Sequence, residues 1–243
     1  MKYLENSTLE TVASSISSGA MDCYIDFKIE SYSRKMVSSD KKQWKTHDKN
    51  GPWTERQPLS PPDDFTGLSA SPVATIGHAA RLRHLSERSC SGSDNDFEEI
   101  NLVDSVSRKT LYDMVQLLNS AFPDYDFTDV KSEAFSLINY EDVCDIVDAK
   151  LATCVHNYKS RKDELWGVVE DTINPNECRI YSFKSQFADD PFNEDGCIWS
   201  LAFIFYNKPL KRFLLLTCRC LSKLTDIDSF DQLWDIDEMN ENQ

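Results

Sequence analysis

The stretch CIWSLAFIFYNKPLKRFLLLTCR, residues 197–219, predicts the centre of the fold. Two runs of mainly aliphatic and aromatic residues, 197–206 and 211–219, flank the short turn Asn207-Lys208-Pro209-Leu210. Such runs favour β-strands, and a short turn between two of them predicts an antiparallel hairpin. Residues 178–184 predict another strand before the hairpin, so we expect an antiparallel sheet in the C-terminal part of the chain.

Upstream of this sheet, apolar residues recur at helical spacing, and three helices are predicted. Pro123 ends the first helix, while the third has Asp163 as its N-cap and Pro175 just beyond its end. The apolar positions are Leu111, Met114, Val115, Leu118 and Phe122 in the first; Val143, Ile146, Val147, Leu151, Cys154 and Val155 in the second; and Leu165, Trp166, Val169 and Ile173 in the third.

The N-terminal residues predict one more helix and one more strand. Ser7-Thr8-Leu9-Glu10 matches a capping box with Ser7 as N-cap, and residues 22–30 alternate with period two. Because so small a piece is not stable alone, its strand needs the edge of the C-terminal sheet. We therefore predict that residues 1–36 and 106–222 form one α+β domain, a mostly antiparallel sheet packed with helices.

Residues 37–105 show no sustained helix or strand period and are rich in Pro, Ser, Asp, Lys and Gly. Such a stretch cannot bury enough apolar surface to offset the entropy of ordering it. We therefore predict a long disordered linker inside the domain. Residues 223–243 are expected to form a loose acidic tail.

Three serines of this linker match kinase patterns. Ser60 and Ser71 each precede a proline, and Ser86 ends an Arg-x-Arg-x-x-Ser pattern that basophilic kinases prefer. Each phosphate would add roughly two negative charges. The sequence thus predicts a switch that weakens or redirects binding governed by charge, with an unmodified spacer as the alternative.

Charge and motifs argue against several classes of function. The formal net charge of −15 disfavours direct binding to nucleic acid, since phosphate backbones repel an acidic surface. No apolar run reaches the roughly 18 residues of a membrane helix. Glycine-rich phosphate loops and common catalytic motifs are missing, so no catalytic residue and no cofactor are predicted. Cys218 and Cys220 have the wrong spacing for a zinc finger, and the cysteines are expected to be reduced and mostly buried.

Two charged segments are candidate contacts for a protein partner. An acidic loop suits a basic partner, although the same carboxylates also fit a hard cation or a merely solvated loop. The basic residues of the hairpin turn are the second segment, with a nuclear import element or a solvated strand end as alternatives. The aromatic residues of the strands are expected in the core. The predicted contacts are Asp189, Asp190, Glu194 and Asp195 in the loop, and Lys208, Lys211 and Arg212 in the turn.

Three sets of residues, separated by variable sequence, form a recognisable pattern. They are MKYLEN (1–6) with IESYSRKM (29–36); SRKTL (107–111) with PDYDF (123–127); and DPF (190–192), WS (199–200), FYNK (205–208), LKR (210–212) and CR (218–219). Together these three boxes resemble the eukaryotic Maf-type repressor of RNA polymerase III, a family with three boxes around a variable linker.

The resemblance implies a non-catalytic repressor that binds RNA polymerase III and obstructs its recruitment through the TFIIB-related initiation factor. It also implies that protein kinases acting on the linker restrain repression and favour the cytoplasm, whereas a phosphatase permits action in the nucleus under stress. Ser60 matches the family's phosphosite pattern. The alternative is a phospho-regulated acidic adaptor for a different basic protein partner.

Overall fold

The computed structural model describes residues 1–35, 56–62, 104–185 and 190–223. Within these ranges the chain forms eight strands and four α-helices. The strands are β1 (Lys2–Leu4), β2 (Cys23–Ser33), β3 (Arg56–Pro58), β4 (Ser105–Ser107), β5 (Phe135–Ile138), β6 (Cys178–Phe183), β7 (Cys197–Asn207) and β8 (Arg212–Ser222). The helices are α1 (Ser7–Ser18), α2 (Arg108–Ala121), α3 (Tyr140–Cys154) and α4 (Lys159–Ile173). None of these helices is long and apolar enough to span a membrane.

Six strands form one antiparallel sheet in the order β1-β2-β8-β7-β6-β5. Strand β2 pairs with β8 along its whole length, from Cys23 opposite Ser222 to Ser33 opposite Arg212. Strands β7 and β8 form the predicted hairpin, with Asn207 opposite Arg212 at its turn. The predicted fold class, α+β with a mostly antiparallel sheet, is confirmed.

Helices cover both faces of this sheet. Helices α1, α3 and α4 pack on one face around a cluster that includes Phe203 and Phe205, whereas α2 packs on the other face around Phe213. Because both faces are buried, the central strands are almost continuously apolar instead of alternating. These three phenylalanines are at most 1% exposed, and Trp199 packs partly buried against the first cluster, as predicted.

Helix α1 begins differently from the prediction. The side chain of Asn6 accepts hydrogen bonds from the amides of Thr8 (3.1 Å) and Leu9 (3.4 Å), so Asn6 is the N-cap. Ser7 is therefore the first helical residue, and the predicted capping role is wrong. An asparagine oxygen caps as well as a serine oxygen, so either residue type satisfies the sequence pattern.

Helix α4 also begins earlier than predicted, at Lys159 in place of a residue following Asp163. Its N-cap, Tyr158, makes no side-chain capping bond, so the usual sequence signal of a helix start is missing there. The tyrosine hydroxyl instead donates to Asp148 of α3 at 2.6 Å. Packing between the two helices thus positions the start of α4, and the predicted Asp163 cap is wrong.

Residues 56–62 are ordered, contrary to the expectation of an unstructured linker there. Strand β3 pairs with β4, and Leu59 is only 4% exposed in the cluster beneath α2. The Leu59 amide donates to the Asp104 carbonyl at 2.8 Å. A segment this short shows no period of its own, and its order comes from contacts with distant residues. The last two residues of the predicted linker are also ordered, since Ser105 begins β4 and Asp104 precedes it. The rest of that linker, 37–55 and 63–103, lies outside the described residues, as do residue 36 and residues 224–243.

Candidate interaction surface

Residues from all three sequence boxes meet on the face of the sheet that α2 covers. Tyr32 of the first box, Phe127 of the second and Phe192 and Tyr206 of the third belong to the same buried cluster. Phe192 contacts Phe183 of β6 edge-to-face, with ring centroids 5.6 Å apart. The boxes therefore converge in space and contribute to a common core.

Arg34 of the first box connects this face to α2. Its Nε donates to Asp113 at 2.7 Å, and one of its terminal nitrogens donates to the Tyr206 hydroxyl. The guanidinium carbon also lies 4.9 Å from the centroid of the Tyr206 ring. Burial raises the pKa of the Asp113 carboxyl, and the Arg34 charge opposes that effect. This partly buried pair joins the end of β2 to the middle of α2.

A second arginine organises the other end of the same face. Arg219 of β8 donates to Asp26 of β2 at 2.7 and 3.1 Å and to Glu194 at 3.0 Å. It also donates to the carbonyl of Pro191 at 2.9 Å, and the hydroxyl of Tyr125 donates to Glu194. Arg219 therefore fastens the acidic loop to two strands of the sheet.

Two carboxylates of the acidic loop make hydrogen bonds within the domain. Asp190 is 3% exposed, and its Oδ1 accepts hydrogen bonds from the amides of Phe192 (2.8 Å) and Asn193 (3.1 Å). Asp190 thus stabilises a turn and does not present its charge to a partner, which corrects its assignment as a contact. Glu194 is partly buried beside Arg219, and Asp195 is exposed. Asp189 lies outside the described residues.

The basic turn presents a different surface. Lys208 and Lys211 are exposed, and Leu210 between them is 52% exposed. Arg212 is partly buried and donates to the carbonyl of Thr172 at 3.0 Å, so it joins the hairpin to α4. The backbone of Lys211 has a positive φ of 52°.

The two predicted contact segments do not form one site. The acidic loop precedes the first residue of β7 and the basic turn follows its last, and β7 has 11 residues. At a rise of about 3.3 Å per residue, the two segments lie roughly 33 Å apart.

Exposed apolar residues lie beside the acidic loop and have no strong sequence signal. Met21, Tyr24 and Ile198 are 41%, 50% and 62% exposed. Met21 precedes β2, Tyr24 lies near the start of β2 and Ile198 near the start of β7, and both strand starts lie at the same end of the sheet, on either side of β8. Large exposed apolar side chains grouped in this way are typical of protein contacts. We call this group the apolar end surface. Ile198 occupies an irregularity in the β7–β8 register, so its exposure could not be inferred from strand alternation.

Ser60 is the predicted phosphosite that lies within the described residues. Its hydroxyl donates to the carbonyl of Glu133 at 2.7 Å, and its amide donates to the carbonyl of Phe135 at 3.0 Å. The side chain is partly exposed and is part of the packed segment 56–62. Ser71 and Ser86 lie outside the described residues.

That segment also forms one wall of a surface cleft that the sequence did not reveal. The cleft has a volume of about 550 Å³ between β3, α2 and residues 128–133, and its lining includes Gln57, Arg108, Tyr112 and Lys131. Because residues 56–58 were predicted to be linker, no sequence signal placed them opposite α2.

The fold is a three-layer α+β domain in which residues of the three boxes fasten loops and helices to the sheet. The family model of the Maf1 regulator matches residues 25–217, and the chain belongs to this family. Membership places it among regulatory proteins and not among enzymes, as predicted.

Two relatives show the range of similarity. The chain is 41% identical over 124 residues to a "Repressor of RNA polymerase III transcription" of Dictyostelium discoideum, a match that covers 49% of this chain and 44% of that protein. It is 29% identical over 225 residues to the corresponding maf1 repressor of Schizosaccharomyces pombe, which covers 92% of this chain and 84% of the relative.

The fold is similar to that of a solved relative. A crystal structure of citrus MAF1 matches with a TM-score of 0.54 and 23% sequence identity, covering 89% of this chain and 99% of the citrus chain. At this identity the likeness supports the fold alone.

Proposed function

We propose that this chain represses transcription by RNA polymerase III by binding the polymerase and preventing its recruitment through the TFIIB-related initiation factor. The observation that carries the proposal is membership of the Maf1 family, whose matched relatives are named repressors of this transcription. The three boxes also contribute to one buried cluster, so the residues that carry the family resemblance belong to one folded unit.

Phosphorylation is proposed to control this activity. Ser60 precedes Pro61 on a short segment that contacts residues 133–135 through two hydrogen bonds. A phosphate there removes the hydroxyl donor and adds about two negative charges. We propose that kinases acting on Ser60, Ser71 and Ser86 weaken polymerase binding and favour the cytoplasm, and that a phosphatase reverses this and favours the nucleus.

Reconstituted transcription of a transfer-RNA gene tests the core of the proposal. The full chain should lower transcript yield when added before the polymerase meets the promoter, and it should bind the immobilised polymerase. If the native chain neither binds the purified polymerase nor lowers transcription, the proposal is wrong. Capture of a different basic protein would then favour the adaptor alternative.

Two surface variants locate the contact. Lys208→Glu with Lys211→Gly alters the basic turn, whereas Tyr24→Ala with Ile198→Asp alters the apolar end surface. Lys159→Glu, an exposed change on α4, is the control and should retain full repression. Because the two surfaces lie at opposite ends of β7, loss of binding in one variant alone identifies the end that meets the polymerase.

A further inference from the structure

Three cysteines from three separate elements meet at one end of the domain. Cys23 begins β2, Cys220 lies near the end of β8, and Cys154 is the last residue of α3. Their sulfur atoms all lie within 4.8 Å of one another. The sequence separates them widely, so no Cys-x-x-Cys spacing reveals the group.

The fold brings these thiols together by two independent sets of contacts. Ile25 lies opposite Cys220, so Cys23, two residues earlier on β2, is a diagonal neighbour of Cys220 on the same face. The amide of Met21 donates to the carbonyl of Cys154 at 3.0 Å. That bond holds the end of α3 against the start of β2, which places the third thiol beside the other two.

The chemistry of the group favours a soft metal ion. Zinc binds thiolates at about 2.3 Å, and tetrahedral geometry then places the sulfurs about 3.8 Å apart, so small side-chain rotations suffice. The group consists of thiols alone, which suit thiophilic ions better than magnesium or calcium. Cys23 and Cys220 are 6% and 1% exposed, whereas Cys154 is half-buried and leaves one side open to exchange.

We propose that Cys23, Cys154 and Cys220 form a binding site for Zn²⁺, with three thiolate ligands and a fourth position for water or an external ligand. Bound zinc would join α3 directly to β2 and β8. Lys223, whose ammonium group donates to the carbonyl of Met21, lies close enough to offset the net negative charge of zinc with three thiolates.

A redox role fits the same thiols less well. Cys23 and Cys220 are only 6% and 1% exposed, so an external disulfide or oxidant reaches them poorly. A metal ion does not need free thiolates in advance, because it displaces the protons as it binds.

Cobalt substitution tests the site on the full chain, reduced and freed of metal by a chelator. Titration with Co²⁺ without oxygen should give thiolate-to-cobalt charge-transfer absorption and the visible bands of tetrahedral cobalt, saturating at one ion per chain. Zn²⁺ should then displace the cobalt and abolish these bands. The zinc-bound chain should also melt at a higher temperature than the metal-free chain. Absence of the cobalt spectrum would overturn the proposal.

Ligand variants make the assignment specific. Cys154→Ser changes the half-buried ligand at a helix end and should weaken cobalt binding at least about tenfold. Cys144→Ser, on the same helix and also half-buried, is the matched control and should bind normally. Equal binding by Cys154→Ser and the native chain would refute the site.

Discussion

The guanidinium of Arg34 donates to the carboxylate of Asp113 at 2.7 Å, and the Asp113 side chain is only 2% exposed. The two residues are far apart in sequence, and their pair joins the end of β2 to α2. A buried carboxylate is stable only when a partner compensates its charge. The pair therefore stabilises the attachment of α2 to the sheet.

Replacing Arg34 should destabilise the domain strongly. Arg34→Ala leaves the buried Asp113 carboxylate without its cation, and we expect a loss of about 3 kcal/mol in the free energy of unfolding at neutral pH. Urea denaturation measures this loss. Lys35→Ala, an exposed change at the next residue, should cost little. If Arg34→Ala and Lys35→Ala lowered the free energy of unfolding equally, the Arg34–Asp113 pair would contribute nothing to stability in solution.

The same pair predicts a pH dependence. Burial raises the pKa of Asp113 above its ordinary value of 3.8 despite the nearby Arg34. The protonated form is thus favoured in the folded state, and this contribution to stability is lost as pH rises from about 3.8 through the raised pKa. Asp113→Asn has no such contribution, so its stability relative to the native chain should rise across that window. If the difference in stability between Asp113→Asn and the native chain stayed constant from acid to neutral pH, the raised pKa of Asp113 would be contradicted.

Arg219 should control the order of the acidic loop. Arg219→Lys keeps the charge but loses the planar fork that reaches Asp26, Glu194 and the Pro191 carbonyl together. We expect the free energy of unfolding to fall by about 2 kcal/mol and the amides of residues 192–197 to exchange hydrogen faster. Arg179→Lys, at a partly buried arginine of β6, is the control. If amide hydrogen exchange at residues 192–197 were unchanged in Arg219→Lys, the packing of Phe192 alone would keep the loop in place.

Local patterns predicted the sheet and helices well because their residues interact with near neighbours. The β7–β8 hairpin and α2 carry strong periodic or apolar signals, and both are found close to their predicted bounds. The three-residue strand β3 was missed since its order depends on β4 and on burial of Leu59, which are distant contacts.

The candidate site was less predictable than the fold for a related reason. The sequence identified charged loops, but burial and partners decide which charges a partner can reach. Asp190 lies inside its own turn and Glu194 binds Arg219, whereas Asp195 faces solvent. Nothing in the spacing of Cys23, Cys154 and Cys220 indicates that β-sheet register and a helix end bring them together.

Ser60 provides a test of how phosphorylation acts on the described segment. Ser60→Asp removes the hydroxyl donor to Glu133 and places a charge beside that carbonyl, so residues 56–62 should exchange amide hydrogens faster. Ser60→Ala removes only the hydrogen bond to Glu133, and we expect it to lower the free energy of unfolding by about 1 kcal/mol. Ser14→Asp, on the exposed side of α1, is the control for added charge. If segment 56–62 keeps its protection in Ser60→Asp, the proposed release is wrong.

The strained backbone at Lys211 allows the basic turn to be tested without unfolding the domain. A non-glycine residue at φ 52° is disfavoured, so Lys211→Gly should stabilise the chain by about 0.5–1 kcal/mol while removing one exposed charge. Lys208→Ala removes a neighbouring exposed charge without that backbone effect, and thermal denaturation compares the two. Weaker polymerase binding by a more stable Lys211→Gly chain would then report the lost charge, since a folding defect is excluded. A destabilised Lys211→Gly variant would show that the turn has another conformation in solution.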